Sequence, residues 1–229
     1  MVNAHERIIV ALDVPTLDQA EELASSLAPH VGWFKVGLEL FSAHGPEAVQ
    51  RIRRHGPVFL DLKLHDIPTT VERAAARLSN LGVGLLTVHA AGGSDMVAGA
   101  VAGFGDGGRI LAVTMLTSLS EDDARAVGMP GASGHVPTLA ALATAAGAPG
   151  LVCSPHEVEA VRGVVGPDVL LVTPGIRPTG SSADDQARAA TPASALAAGS
   201  DLLVIGRPIT RAADPVAAAD AITSELLAA

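Results

Sequence analysis

Eight short apolar runs recur along the chain, and a helix-length amphipathic segment follows each of them. Continuous apolar runs rich in β-branched residues are typical of strands buried on both faces, as in a parallel sheet. The runs predicted to be strands are Ile8–Leu12, Val31–Val36, Val58–Leu62, Val83–Val88, Ile110–Leu116, Gly150–Val152, Val169–Val172 and Leu202–Ile205. This repeat predicts an α/β fold, a single (β/α)8 TIM barrel over residues 1–229. A doubly wound open sheet is the alternative, because a strand count does not prove closure.

Capping signals mark the starts of several helices between these runs. Thr16 is a suitable N-cap for a helix that ends near Ala28. Prolines suited to a first helical turn predict three further starts, at Pro68, Pro155 and Pro215. The segment Pro174–Ala190 is longer than the usual connection after a strand, which predicts a lid over the barrel mouth. A plain loop insertion is the alternative for this segment.

Composition and charge argue against several classes of function. The formal net charge of −9 disfavours nucleic acid as a partner, since polyanions repel an acidic surface. The apolar runs are far shorter than the roughly 20 residues that a membrane-spanning helix needs. Cys153 is the only cysteine and the N-terminus has no signal-peptide pattern, so we expect a cytoplasmic protein. The eight histidines show no metal-binding spacing such as His-x-x-x-His, so we do not expect a zinc site.

Charged residues gather at the carboxyl ends of the predicted strands, where barrels of this kind hold their active sites. Asp13 follows the first run, Lys35 lies near the end of the second, and the third continues into Asp61–Asp66. Side chains two residues apart share one strand face, so Asp61 and Lys63 should point the same way. Buried charges are costly unless paired, and we therefore predict an ion-pair network at the barrel mouth. A purely structural salt-bridge cluster is the alternative.

The end of the eighth run predicts a phosphate site. Gly206 permits a close approach of an anion to backbone N–H groups at the start of a helix, and Arg207 adds a forked donor. Arg177 and Gln186 of the long connection would add further donors. Together these residues indicate a phosphorylated ligand, although Arg177 alone could be a solvated loop arginine.

The segment from Phe59 to Val71, FLDLKLHDIPTTV, resembles the signature of the orotidine 5′-phosphate decarboxylase family. The resemblance extends over most of the chain, and the alanine-rich stretch after Ser120 is the main departure from it. Further segments match family motifs in order and spacing: Ala11–Asp13, Phe34–Gly37, Val113–Ser118, Thr173–Arg177 followed by Gln186, and Val204–Ile209.

The resemblance implies a (β/α)8 barrel that acts as a homodimer on a small-molecule nucleotide. The implied reaction is decarboxylation of orotidine 5′-monophosphate to uridine 5′-monophosphate and CO2, the last step of de novo pyrimidine nucleotide biosynthesis, without metal or cofactor. The implied catalytic residues are Lys35, Asp61, Lys63 and Asp66, with Lys63 protonating C6 of the pyrimidine.

The resemblance also implies how the substrate is held. Asp66, Ile67 and Thr70 would reach into the neighbouring subunit's site. The ribose would contact Asp13 and Lys35, and the substrate carboxylate would lie near Asp61. The remaining implied substrate-binding residues are Thr117, Ser118 and Pro174 for the pyrimidine, and Arg177, Gln186, Gly206 and Arg207 for the phosphate.

Two other functions stay open at the level of sequence. One is a Mg²⁺-dependent decarboxylase or aldolase-type synthase acting on sugar phosphates, which shares the Asp-x-Lys-x-x-Asp core. Such enzymes use an acidic metal ligand on the second strand, where this chain has Lys35 and, just beyond it, Glu39. The other is a nucleotide sensor without turnover, which would bind uridine 5′-monophosphate and leave the substrate unchanged.

Overall fold

Eight parallel strands close into a barrel in the computed structural model, which describes residues 3–178 and 190–228. Each strand pairs with the next in sequence, and the eighth pairs with the first. The strands are β1 Ile8–Ala11, β2 Trp33–Gly37, β3 Val58–Leu64, β4 Leu85–His89, β5 Arg109–Val113, β6 Gly150–Val152, β7 Leu170–Thr173 and β8 Leu202–Ile205. The predicted barrel is confirmed, and the open sheet is ruled out by the β1–β8 pairing.

Helices surround the barrel and connect its strands. They are α1 Leu17–Leu27, α2 Leu38–His44, α3 Pro46–Ile52, α4 Pro68–Ser79, α5 Ser94–Phe104, α6 Glu121–Ala126, α7 Ala132–Ala145, α8 Val158–Val165, α9 Pro192–Ala197, α10 Arg207–Thr210 and α11 Pro215–Leu227. Short 3-10 turns cover Ala4–Arg7, Ala90–Gly92 and Gly105–Gly107. Within the described ranges, none of the helices is both long and apolar enough to cross a membrane.

The capping signals located most of the helix starts that were predicted from them. The Thr16 hydroxyl accepts a hydrogen bond from the Gln19 N–H at 3.3 Å, and α1 begins at the next residue. Pro68 and Pro215 each lie in the first turn of their helix. The start predicted at Pro155 is wrong, because α8 begins only at Val158. A turn precedes it, in which the Glu157 carboxylate accepts from the Ser154 N–H at 3.0 Å.

The fifth strand is shorter than predicted. It ends at Val113 instead of Leu116, because its neighbour β6 ends at Val152 and offers no further ladder partner. The N–H and the hydroxyl of Thr114 both donate to the Val152 carbonyl, each at 3.1 Å, and the chain then leaves the sheet. Thr117 therefore lies on the loop after β5 and not at a strand end.

Two apolar layers hold the barrel together. The interior layer consists of side chains that alternate inward along the strands: Ile9, Ala11, Phe59, Leu85, Leu111, Val113, Val152, Val172, Leu202 and Val204. The outer layer, between strands and helices, takes the alternate strand residues and the apolar faces of the helices. Leu62 and Leu64 of β3 pack against this outer layer. The inward and outward alternation decides which side chains can reach the barrel mouth.

The two ends of the connection after β7 are hydrogen-bonded to each other. A parallel β-bridge joins Ile176 to Ala190, and the Arg177 N–H donates to the Ala190 carbonyl at 2.9 Å. Ile176 is buried in the outer core layer. Residues 179–189 lie outside the described residues, and with them the predicted site residue Gln186 and most of the predicted lid.

Arg162 of α8 joins two loops at the amino-terminal end of the barrel, the connections that lead into β7 and β8. Its guanidinium donates at 2.7–3.1 Å to the carbonyls of Gly166, Val169 and Gly199 and to the Asp201 carboxylate. Hydrogen bonds made by a partly buried charged group are stronger than neutral ones, and removing one partner leaves the others unsatisfied. The clamp therefore stabilises the approach to β7 and β8.

Replacing Arg162 with alanine should lower the free energy of unfolding by at least about 2 kcal/mol, because several carbonyls and one carboxylate lose their donor. Urea unfolding followed by circular dichroism measures this. The control is Arg125→Ala on the exposed face of α6, where the side-chain ion pair with Asp122 should contribute less than about 1 kcal/mol. Equal losses in the two variants would contradict the clamp.

Candidate active site

An alternating row of ammonium and carboxylate groups crosses the mouth of the barrel. Lys35 Nζ lies 2.9 Å from Asp13 Oδ1 and 3.7 Å from Asp61 Oδ2. Lys63 Nζ donates to both oxygens of Asp61, at 2.7 and 2.8 Å. The four residues come from the carboxyl ends of β1, β2 and β3, and we call them the ionic row. The network predicted from the sequence is present for these four, and Asp66 does not join it within this chain.

The backbone of β3 is distorted where the ionic row forms. Leu60 pairs with Leu86 of β4, but Leu64 pairs with Val88. Four residue steps along β3 therefore correspond to two along β4. Lys63 has φ 51°, the one positive φ among the described non-glycine residues. Strand alternation predicted that Asp61 and Lys63 would lie side by side, and they do. The prediction assumed a regular strand, however, and β3 is irregular at this point. Asp61 and Lys63 meet through an irregular backbone.

Asp61 is ionised because its neighbours outweigh its burial. Its side chain is only 13% exposed, and burial by itself would raise the pKa of the carboxyl group. The Lys35 and Lys63 ammonium groups oppose this, helped by hydrogen bonds from Lys63 and Thr87, and the resulting pKa lies below its usual range. At neutral pH the site therefore holds a fixed negative charge between two lysines.

A pair of histidines adjoins the row on the β4 side. The rings of His65 and His89 lie 5.3 Å apart between centroids. Burial, together with the nearby His65 and Lys63, lowers the pKa of His89. His89 is therefore neutral at neutral pH and adds no further positive charge beside Lys63.

Gly37 makes room for the ionic row. A Cβ atom at this position would lie 2.8 Å from Asp13 Oδ1 and 2.9 Å from Lys35 Nζ, closer than real contacts allow. Any side chain would therefore displace the ion pair between these two residues. Gly37 could not be identified as a site residue from the sequence, because its φ is ordinary and the lack of space for a side chain comes only from tertiary contacts.

The ionic row separates two adjoining parts of one cleft. The polar part has a volume of about 320 Å³ and the apolar part about 130 Å³. Lys35, Asp61, Lys63, Pro174 and Val204 line both parts. A ligand that spans the cleft would therefore pass directly over the row.

The polar part of the cleft is positively charged in a chain that is acidic overall. Lys35, Lys63, Arg177 and Arg207 line it against the carboxylates of Asp13 and Asp61, a formal excess of two positive charges. Gly206 lies between β8 and α10 and also lines this part. The chemistry of these donors suits a phosphate group.

The apolar part continues the interior layer of the barrel upward. Phe59, Val113, Val152 and Val204 of that layer form its base, and Met115, Leu116 and Thr117 from the loop after β5 line its side. The shape and the apolar lining of this part suit a flat ring. Among the described residues, Thr117 carries the one hydroxyl that lines it.

Several predicted site residues lie away from the cleft. Ser118 is exposed and lines neither part, because β5 ends early and the loop turns its side chain outward. Asp66, Ile67 and Thr70 are exposed beyond β3, and Asp66 Oδ1 accepts from the Ile67 N–H at 2.7 Å. These three therefore do not line the cleft of their own chain.

Thr87 is a site residue that sequence reasoning missed. It is fully buried in the middle of β4, and its hydroxyl contacts both Asp61 and Lys63. The available signal was a single polar residue within the apolar run Leu85–Val88. A buried hydroxyl inside such a run needs partners, and here the partners are the ionic row.

The residues near the row do not resemble a divalent-metal site. In the described part of the chain, there is no group of three or more His, Cys, Asp or Glu residues that could hold a metal ion. The second-strand position of the cleft is occupied by the Lys35 ammonium, and Glu39 is exposed on α2 and does not line the cleft. A cation placed beside Asp61 would be repelled by two lysines.

Known proteins resemble this chain over nearly its whole length. The sequence model of the Orotidine 5'-phosphate decarboxylase / HUMPS family matches residues 6–222. An orotidine 5'-phosphate decarboxylase of Anaeromyxobacter sp. (strain K) is 59% identical over 223 residues, covering 96% of this chain and 98% of the relative. One from Thermobifida fusca is 57% identical over 222 residues, covering 96% and 95%.

A solved structure shares both the fold and much of the sequence. The crystal structure of orotidine 5'-phosphate decarboxylase from Lactobacillus acidophilus superimposes with a TM-score of 0.84 at 42% identity, covering 96% of this chain and 98% of that one. The sequence, the closed barrel and the match over residues 6–222 agree. The chain belongs to the orotidine 5'-phosphate decarboxylase / HUMPS family.

Proposed function

We propose that this chain decarboxylates orotidine 5′-monophosphate to uridine 5′-monophosphate and CO2, a carboxy-lyase reaction of pyrimidine nucleotide biosynthesis. The observation that carries the proposal is the position of Lys63, at the boundary between the apolar and the cationic parts of the cleft. Relatives at 57–59% identity are orotidine 5'-phosphate decarboxylases. The Lys35 ammonium on β2 argues against the Mg²⁺-dependent alternative, because it fills the place of an acidic metal ligand with a cation.

The substrate fits the charge and polarity of the cleft. Its phosphate would bind near Arg177, Gly206 and Arg207, where positive side chains and the α10 backbone converge. Its ribose hydroxyls would contact Asp13 and Lys35 in the same part of the cleft. Gln186 stays a predicted phosphate contact, and it lies outside the described residues.

The pyrimidine would enter the apolar part of the cleft. Thr117 and Pro174 line that part and would contact the ring. Ser118 stays only a weaker candidate, since its side chain is exposed and lies outside the cleft lining. This orientation brings C6 and its carboxylate to the ionic row, with Asp61 beside the departing group.

Lys63 would act as the proton donor. When the bond between C6 and the carboxylate breaks, CO2 leaves and the electron pair stays on C6. The Lys63 ammonium stabilises this negative charge and then transfers a proton to C6, which completes uridine 5′-monophosphate. The neutral amine recovers its proton from solvent. Asp61, which also pairs with Lys35, holds the ammonium in place before the reaction, so little reorganisation is needed when the charge develops.

We also propose that the active enzyme is a homodimer, with Asp66, Ile67 and Thr70 contributed to the neighbouring subunit's site. The support is the exposure of this segment directly after Lys63. Ile67 is 67% exposed and Leu38 on α2 is 61% exposed, unusually high values for large apolar side chains. Residues 1–229 would act as one domain, and a cytoplasmic location stays a prediction from the sequence.

The activity can be tested directly by following the orotate absorbance of orotidine 5′-monophosphate with purified protein and EDTA. The wild-type chain should consume the substrate, and Lys63→Ala should lose at least about 1,000-fold in kcat, because proton transfer and charge stabilisation disappear together. A folded wild-type protein that leaves the substrate unchanged would contradict the proposal. Turnover of sugar phosphates with Mg²⁺, or binding of uridine 5′-monophosphate alone, would then identify which alternative holds.

The phosphate assignment predicts a substrate-dependent effect of Arg207→Ala. On orotidine 5′-monophosphate, kcat/KM should fall at least about 10-fold, because binding of the remote phosphate lowers the barrier at C6. On orotidine, which lacks the phosphate, variant and wild type should be equal. The control is Arg211→Ala, an exposed arginine just beyond α10 that does not line the cleft. An equal loss on both substrates would place the effect of Arg207 elsewhere.

The shared site predicts complementation between two inactive variants. Lys63→Ala and Asp66→Ala should each be inactive as homodimers. After joint refolding in equal amounts, about half of the dimers are mixed, and each mixed dimer holds one intact site. The mixture should therefore recover about a quarter of the wild-type rate. Light scattering checks the dimer, and a mixture that stays inactive while dimeric would place both residues in the same subunit's site.

A further inference from the structure

We propose that Thr87 is a positioning residue for the decarboxylation, holding Asp61 and the backbone of Lys63 as one unit. The inference rests on the proposed function and extends it to a residue outside the lining of the cleft. Thr87 lies in the middle of β4 and is fully buried, and its hydroxyl points at the distorted part of β3.

The Thr87 hydroxyl uses both of its hydrogen-bonding capacities on the ionic row. It accepts from the Lys63 N–H at 2.9 Å and donates to Asp61 Oδ1, also at 2.9 Å. The directions are fixed, because a backbone N–H can only donate and an ionised carboxylate can only accept. One oxygen atom therefore joins the main chain of Lys63 to the carboxylate that its own ammonium contacts.

The distortion of β3 explains why a side chain is needed there. Between Leu60 and Leu64 the register with β4 shifts, so the strand ladder does not supply the usual backbone partner for the intervening N–H groups. Lys63 also holds φ 51°, which a lysine rarely adopts without support from its surroundings. The Thr87 hydroxyl replaces the missing ladder partner at this residue.

Packing alone gives no reason for a polar residue at this place. Leu85, two residues earlier on β4, points into the same interior layer and is apolar, as are the neighbouring inward residues Leu111 and Val113 of β5. A valine would fill almost the same volume as Thr87. What valine could not do is hold Lys63 and Asp61 in their present arrangement.

The expected consequence falls on the chemical step and not on substrate binding. The proposed phosphate contacts and the Asp13–Lys35 pair do not involve Thr87, so affinity for the nucleotide should persist without its hydroxyl. The reach and direction of the Lys63 ammonium depend on its backbone and on Asp61, and displacements of about 1 Å at a reacting group can cost about 100-fold in rate.

The test compares Thr87→Val, which keeps the shape, with Thr87→Ser, which keeps the hydroxyl. On orotidine 5′-monophosphate, Thr87→Val should lose about 10- to 100-fold in kcat with KM changed less than about threefold, and Thr87→Ser should stay within about threefold of wild type in both. The matched control is Thr144→Val on α7, which also removes a hydroxyl hydrogen bond, to the Ala140 carbonyl at 2.9 Å. It should leave both constants unchanged.

A second readout does not depend on turnover. Exchange of the Lys63 amide hydrogen, followed by nuclear magnetic resonance, should be faster in Thr87→Val than in wild type or Thr87→Ser, because the N–H loses its acceptor. If Thr87→Val does not fold, Thr87→Ala takes its place with the same criteria.

The outcomes separate this inference from the proposed function. An active wild type whose Thr87→Val variant keeps its kcat would overturn the positioning role and leave the decarboxylase assignment intact. An inactive wild type would refute the assignment, and the Lys63 amide exchange would then decide whether Thr87 holds the backbone. Unchanged exchange in Thr87→Val would overturn the inference in either case.

Discussion

The ion pair between Asp61 and Lys63 is the interaction on which the site depends. A carboxylate that is almost fully buried stays ionised only because two ammonium groups lie beside it, at 2.7 and 3.7 Å. The Lys35 ammonium, which is buried, in turn avoids the cost of an unpaired buried charge because Asp61 and Asp13 lie beside it. The four groups thus require each other, and they can meet only where β1, β2 and β3 end at the same rim.

The closed barrel supplies that rim and also divides the space above it. The interior apolar layer ends in valines and a phenylalanine, which form the base of one part of the cleft. The connections after β7 and β8 bring the arginines to the other part. A rigid sheet therefore presents an apolar region and a cationic region on either side of a fixed row of charges. Such preorganisation is what electrostatic stabilisation of a developing charge requires.

Much of this arrangement could be predicted from the sequence. The features that could not be predicted have identifiable physical reasons. The eight apolar runs located every strand, and the strand ends located Asp13, Lys35, Asp61 and Lys63, because active sites of parallel barrels gather at the carboxyl ends of the strands. The backbone of Lys63 could not be predicted, since strand alternation assumes a regular ladder and β3 shifts register by two residues against β4. The early end of β5, which leaves Ser118 on an exposed loop, could not be predicted for a related reason, because it depends on the length of its neighbour β6.

Two glycines near the ionic row differ in what an added side chain would meet. At Gly37 an added methyl group would meet Asp13 Oδ1 and Lys35 Nζ, so the Lys35–Asp13 pair would have to shift. At Gly206 the nearest atom to an added Cβ would be the Ala11 Cβ at 3.5 Å, an ordinary contact. A side chain at position 37 would therefore disturb the charges of the site from within. At position 206 a methyl group would meet only ordinary contacts, so its first effect would fall on whatever the polar part of the cleft binds and not on the barrel.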